Sequence, residues 1–154
     1  MKQRTYRIET MNVAELAGRL GGPRDRVMRQ GTLFALGASL RDLGELGPVA
    51  VVNELTGAIV DGRARIRRLE DAGVETCTVA VVNLTPAQER AARVQLNAGG
   101  VWDADSLAET LEGIATADPE LYERQRLDEI AMDLMILGAG IPPPHERPGQ
   151  TDLF

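Results

Sequence analysis

The stretch Ile59-Val60-Asp61-Gly62-Arg63-Ala64-Arg65 reads as a strand that passes through Asp-Gly into an arginine-rich helix. A helix start presents unpaired N–H groups and the positive end of the helix dipole, so it suits an anion. Gly62 lets a ligand come close to the backbone, and guanidinium groups can fork onto phosphate oxygens. From Gly62 to Ala72 the helical step places Ile66, Leu69 and Ala72 on one face toward a core, and Gly73 ends the helix. Arg65 falls at the edge of that face, where packing can hold it, whereas Arg67 and Arg68 are expected to be solvated. The same residues have a plainer reading: Gly62 as a turn glycine, and Arg65 as one half of a salt bridge to the acidic second half of the chain.

Working toward the N-terminus, Val49-Ala50-Val51-Val52 is a buried strand, entered through Gly44 and Gly47-Pro48. Before it, Thr32 is placed to cap a helix carrying Leu33, Leu36, Leu40 and Leu43. Asn12 caps a shorter helix with Val13, Leu16 and Leu20, which Gly21-Gly22-Pro23 ends, and Thr5 to Thr10 alternates like a first strand. Toward the C-terminus, Cys77 alternates with Val79 and Val81 on one strand face. Thr85-Pro86-Ala87-Gln88 combines a Thr cap, Pro at the first helical position and Gln three residues after the cap, a strong helix start. That helix runs to Asn97, before Gly99-Gly100. Asp103 or Asp105 caps the next, with Leu107 and Leu111, and Asp118-Pro119 opens one or two more with Leu121, Leu127, Ile130, Leu134 and Leu137. From Ile141 onward the prolines forbid a helix and predict an extended tail.

The 154 residues are 44% hydrophobic and 26% charged, enough for a core and ordinary for a soluble protein. No apolar run is long enough to span a bilayer, and Met1 to Thr10 lacks the apolar segment of a signal peptide. A single cysteine rules out an internal disulfide and fits a reducing cytoplasm; Cys77 itself reads as a small buried hydrophobe rather than a nucleophile. Charge is uneven. Residues 1–68 hold 12 Lys and Arg against 7 Asp and Glu, a net +5, while the remainder of the −6 chain carries −11. A basic half can face phosphate, but net acidity argues against tight sequence-independent DNA binding by a monomer.

The order strand, helix, Gly-x-x-x-Pro, strand, Asp-Gly-x-x-Arg helix, strand, helix resembles the ParB/sulfiredoxin superfamily over residues 5–112. Leu36-x-x-Ser39-Leu40, then Gly44-x-x-x-Pro48 and Val49-x-Val51, is similar to the family's L-x-x-S-I…G-x-x-x-P-I-x-V segment. Ile59-Val60-Asp61-Gly62-x-x-Arg65 is similar to I-x-x-G-[HE]-x-R, and Leu96-Asn97, Val101-Trp102-Asp103 and Leu107 resemble the LN…WD…L pattern of stand-alone, phage-type or methylase-associated ParB-like domains. The resemblance implies an α+β fold, a small mixed sheet packed with helices and followed by C-terminal helices. It divides the chain into a ParB-like domain over 1–115, a helical extension over 116–138 and a Pro-rich tail over 139–154. It also implies a nucleotide-phosphate site made by Gly44, Pro48, Asp61, Gly62, Arg63, Arg65 and Asn97, taking CTP or another nucleoside triphosphate with Mg²⁺.

The departures narrow the chemistry. Where partition proteins usually carry Glu after the motif glycine, phage relatives often His and sulfiredoxin a catalytic Cys, this chain has Arg63. Sulfiredoxin activity is therefore not expected, and a hydrolytic or nuclease step loses its obvious acid or base, because Arg63 is always protonated. Asp61 and Glu89 are the substitutes on offer. A helix-turn-helix and dimerisation domain of the partition type is not expected after the core. His145 in its proline-rich setting reads as solvent-exposed, Asp103-x-Asp105 as capping rather than Mg²⁺ binding, Trp102 as packing and Leu153-Phe154 as a frayed end. One His and one Cys do not make a zinc site.

Three functions fit. The first is a CTP-type nucleotide-binding domain in DNA metabolism, segregation or modification, with nucleotide as partner, DNA or a partner protein besides, no membrane, and a homodimer left open. The second is a nucleotide hydrolase, small-molecule kinase or weak nuclease of the same superfamily. The third is an adaptor whose nucleotide site has decayed.

Overall fold

Asn12 ends the first strand and begins the first helix. Its side chain accepts a hydrogen bond from the Glu15 N–H at 3.0 Å, so the chain turns from strand to helix without a loop. The computed structural model describes residues 6–21, 26–27, 30–97, 101–102 and 104–138. In chain order the elements are β1 (Arg7–Asn12), α1 (Val13–Gly18), β2 (Arg26–Val27), α2 (Gln30–Leu43), β3 (Ala50–Asn53), β4 (Ile59–Asp61), α3 (Arg63–Asp71), β5 (Thr76–Val82), α4 (Pro86–Leu96), β6 (Val101–Trp102), α5 (Ala104–Ala117), α6 (Pro119–Arg124) and α7 (Leu127–Gly138).

A mixed four-stranded sheet has the order β1-β5-β3-β4. β3 and β5 are parallel, with Ala50 opposite Val79 and Asn53 opposite Val82, while β1 and β4 run antiparallel to their neighbours. Alternation along β5 sends Cys77, Val79 and Val81 to one face, where they meet Val13, Leu16, Val52, Ile59, Ile66 and Leu69 in a core beneath α1 and α3. Complete burial of Ile66 alone is worth roughly 1.5–3 kcal/mol. A second apolar cluster joins Ala87, Ala91 and Val94 of α4 to Leu107, Leu111 and Ile114 of α5, Leu121 of α6, and Leu127, Ala131 and Leu134 of α7. α4 also packs on β4, linking the two clusters. The fold is thus the expected α+β class, a small mixed sheet with helices around it and further helices after it.

Local signals hold where side chains satisfy the backbone on the spot. Thr85 and Gln88 form the full capping box, with Pro86 opening α4, and Asp118 caps α6 by accepting from the Leu121 N–H at 2.9 Å. Other boundaries moved. α1 ends at Gly18, before the Gly21-Gly22-Pro23 stop, although Leu20 beyond it is still buried. α2 begins at Gln30, so Thr32 lies inside its first turn and not at its cap. A single cap is worth only about 1 kcal/mol, which further helical hydrogen bonds offset. Asp105 likewise sits within the first turn of α5. Leu43 is 63% exposed, because α2 has passed the core by its last turn. Ala72 is exposed, since the helix has ended at Asp71 and the 100° step no longer applies. Asp103, His145 and the tail from 139 onward lie outside the described residues. The small β2–β6 pairing has no counterpart in the sequence reading.

Candidate functional site

Gly62 is the N-cap of α3, with φ 95°, a left-handed conformation that favours glycine. A Cβ built there would lie 2.3 Å from the Val49 carbonyl oxygen and 2.6 Å from Ala50 Cα. The space above Gly62 is therefore occupied by the chain's own backbone, where the sequence reading had placed a ligand. This close approach clamps the start of α3 onto the start of β3, immediately after Pro48.

The Gly44–Pro48 loop is fixed at the same end of the sheet. Gly44, at φ 70°, closes α2 by donating its N–H to the Leu40 carbonyl at 3.1 Å. The Glu45 carboxylate accepts from the Thr78 N–H at 3.0 Å, and the Val49 N–H donates to the Thr78 carbonyl at 2.8 Å. Glu45 thus extends the β3–β5 ladder into the loop before β3 begins. Pro48 is exposed.

Arg65 lies one turn into α3, half-exposed, with Nη2 2.9 Å from Asp61 Oδ2. Its salt-bridge partner is the residue four positions earlier, and not a carboxylate of the acidic half. Arg63 is half-buried with Nε buried, and Arg67 is exposed. Arg68, expected to be solvated, is half-buried: its stem packs beside Gly37 and its guanidinium reaches Asp71 at 3.2 Å. The structure therefore brings Asp61, Gly62 and Arg65 to the entry end of β3, beside the loop carrying Gly44 and Pro48. Asn97 closes α4, its Nδ2 donating to the Arg93 carbonyl at 2.8 Å, so its amide serves a helix end.

The opposite end of β3 holds a polar cluster that sequence reasoning missed. Asn53 is fully buried; its Nδ2 donates to the Leu84 carbonyl at 2.9 Å and to Glu89 Oε2 at 2.7 Å. Its Oδ1 accepts from the Leu84 N–H at 3.0 Å. The Thr56 hydroxyl donates to the same Glu89 oxygen and accepts from the Ala58 N–H at 3.2 Å. Glu89, offered from the sequence as a general base, is buried and ties the β3–β4 turn to α4. The one signal in the sequence was a polar Asn53 directly after the apolar run Val49 to Val52. Burial, and then the nearby charge of Glu45, push the Cys77 thiol up, which fits its reading as a small core residue.

No protein-family model and no curated protein sequence matches the chain. Solved structures do. One, a crystal form of a Pnob8-like ParB-N domain, superposes with a TM-score of 0.55 at 13% identity, covering 84% of this chain and 54% of that one. A second, of a pNOB8-like ParB N-domain, superposes at 0.52 and 12% identity, covering 84% and 50%. The chain has the ParB N-domain fold. It spans about half the length of the solved chains it matches. Within the ParB N-domain fold, two of the three motifs that prompted the resemblance, Gly44–Val51 and Ile59–Arg65, are neighbours in space, because Gly62 rests on Val49 and Ala50. Among the described residues, no helix is long and apolar enough to cross a membrane, and no group of three His, Cys, Asp or Glu could cage a metal ion.

Proposed function

We propose that the chain is a ParB-like nucleotide-binding domain of the CTP type, a stand-alone, phage-type or methylase-associated subtype serving DNA segregation or modification. The observation that carries this reading is the junction at Gly62. The start of α3, the entry to β3 and the half-exposed Arg65 converge there, in a fold shared with ParB N-domains. In this reading the phosphates of a nucleoside triphosphate lie beside the α3 start, away from the side that Val49 and Ala50 fill and next to the Gly44–Pro48 loop, and Arg65 turns from Asp61 to a phosphate oxygen. A phosphate offers more negative charge and a matching fork geometry, so the exchange is favourable. Mg²⁺ would arrive on the triphosphate, since the residues offer no metal cage of their own among those described. Arg63 adds positive charge beside the phosphates, and the basic first half supplies a surface for DNA, with a cytoplasmic setting implied.

Binding without turnover is favoured over hydrolysis. Glu89 is buried and bonded to Asn53 and Thr56, so it is no free base, and Asp61 is held by Arg65 until a phosphate takes its place. Calorimetry with CTP, ATP, GTP and ADP, with Mg²⁺, tests the reading. The expected result is CTP binding that Arg65→Ala weakens at least tenfold, as loss of a charge-assisted pair implies (roughly 1.5–3 kcal/mol). No binding by the wild type, or unchanged binding by the variant, overturns it.

A further inference from the structure

β1 lies at the end of the sheet, bonded to β5 on one side, with no second partner strand among the described residues. Most of its side chains are exposed, including Tyr6 just before it at 61% and Ile8 at 52%. A long exposed edge carrying apolar side chains invites pairing with another strand. Its sequence also says which strand. Arg7 and Glu9 lie on one face, bonded to each other and, through Arg7, to Glu54 of the same chain, with Ile8 between them on the other face. Pairing between copies would exchange these exposed intrachain contacts for contacts across the edge. If two copies pair antiparallel about a two-fold axis through Ile8, Arg7 faces Glu9 of the partner subunit, and Glu9 faces Arg7 of the partner subunit. Ile8 meets its own counterpart, and Tyr6 meets Thr10 of the partner subunit. The central pairs of this register, Ile8 with Ile8 and Arg7 with Glu9 on either side, are complementary in apolar character or in charge, the condition under which cross-strand pairs stabilise. A shift of one residue either way loses the Arg–Glu matches.

We propose that β1 is a self-association edge, joining two copies of this chain into a continuous eight-stranded sheet centred on Ile8. The interface is isologous, so it closes at two copies and does not propagate. One strand a side buries less than a standard interface, so the dimer is of the weak, transient class. The proposal rests on the edge strand alone and is independent of nucleotide binding.

Sedimentation of the full chain across a wide concentration range tests it, with Arg7→Glu and Glu9→Arg as variants. The wild type should move toward twice the monomer mass at hundreds of micromolar. Either variant alone places like charges opposite each other and should weaken self-association at least tenfold. An equimolar mixture of the two variants restores both opposite-charge pairs and should form a heterodimer. Hydrogen exchange on the wild type supplies a measurement that needs no variant: the β1 amides facing away from β5 should gain protection as concentration rises. A wild type that stays monomeric, a single variant that dimerises normally, a mixture that does not associate, or β1 amides indifferent to concentration would each overturn the proposal.

Discussion

The two ends of β3 are built on opposite plans. At its carboxyl end, buried Asn53, Glu89 and Leu84 satisfy one another, with the exposed Thr56 bonded to Glu89 at their edge. At its entry end, the backbone is just as tightly made, with Gly62 on Val49 and Ala50, but the charged pair Asp61–Arg65 stays half in solvent. A polar group whose every bond is internal stabilises a shape. A charge left within reach of water can exchange its partner for a ligand. The closed end therefore holds the sheet to α4, and the open end is where the proposed nucleotide would bind.

The sharpest way to break this contrast is Gly62→Ala. The new Cβ would meet backbone, which cannot swing aside, in a left-handed conformation that alone costs about 1–2 kcal/mol. Together these should cost roughly 3 kcal/mol or more of unfolding free energy, read by urea denaturation. A near-wild-type midpoint would mean that α3 is not clamped to β3. The next effect is at the closed end. Asn53→Ala leaves the buried Glu89 carboxylate and the Leu84 backbone groups short of partners, a loss of roughly 2–4 kcal/mol. Nucleotide affinity measured on the folded fraction should barely move; a matching loss of affinity would show that the two ends are one site.

Arg65→Ala and Asp61→Asn then sharpen the contrast at the open end. Because the pair is part-exposed, losing it should change stability by less than about 1 kcal/mol. Their effects on binding should differ in sign. On the proposed reading, removing Arg65 would remove the phosphate partner, whereas Asp61→Asn would remove the carboxylate that competes with phosphate, so affinity should rise a few-fold. If both variants lose affinity equally, Asp61 contacts the ligand or its cation directly.

What the sequence revealed divides along the same lines. α3, α4 and α6 were legible because their caps and apolar spacing lie within a few residues of each other, as in Thr85 to Gln88. The juxtaposition of Gly44–Pro48 with Gly62 was legible only through resemblance, since nothing local says that the chain before residue 50 touches residue 62. The Asn53–Glu89 bond joins residues 36 apart, both polar types that are usually exposed, so no periodicity announces it. Arg65's partner was available and overlooked: Asp61 is four residues away, the spacing at which charges on a helix meet, though Asp61 precedes the helix itself.

The smallest expected effect lies on the surface beside the closed end. Glu54 follows Asn53 and forms a salt bridge with Arg7, which also reaches Glu9. Hydrogen bonding to Arg7 holds the Glu54 carboxyl below its ordinary 4.5 and raises the Arg7 pKa further out of any working range. A carboxylate whose folded pKa is depressed contributes stability that is present above its unfolded value and fades as pH falls through the folded one. The stability difference between wild type and Arg7→Gln should therefore be constant at neutral pH, shrink below about pH 4.5 and vanish in stronger acid. Salt should shrink it too, because these groups are exposed and screened. The buried Asn53–Glu89 bond should be far less sensitive to salt. If salt affects Asn53→Ala and Arg7→Gln alike, the closed end is wetter than its burial implies, and the contrast with the open end weakens with it.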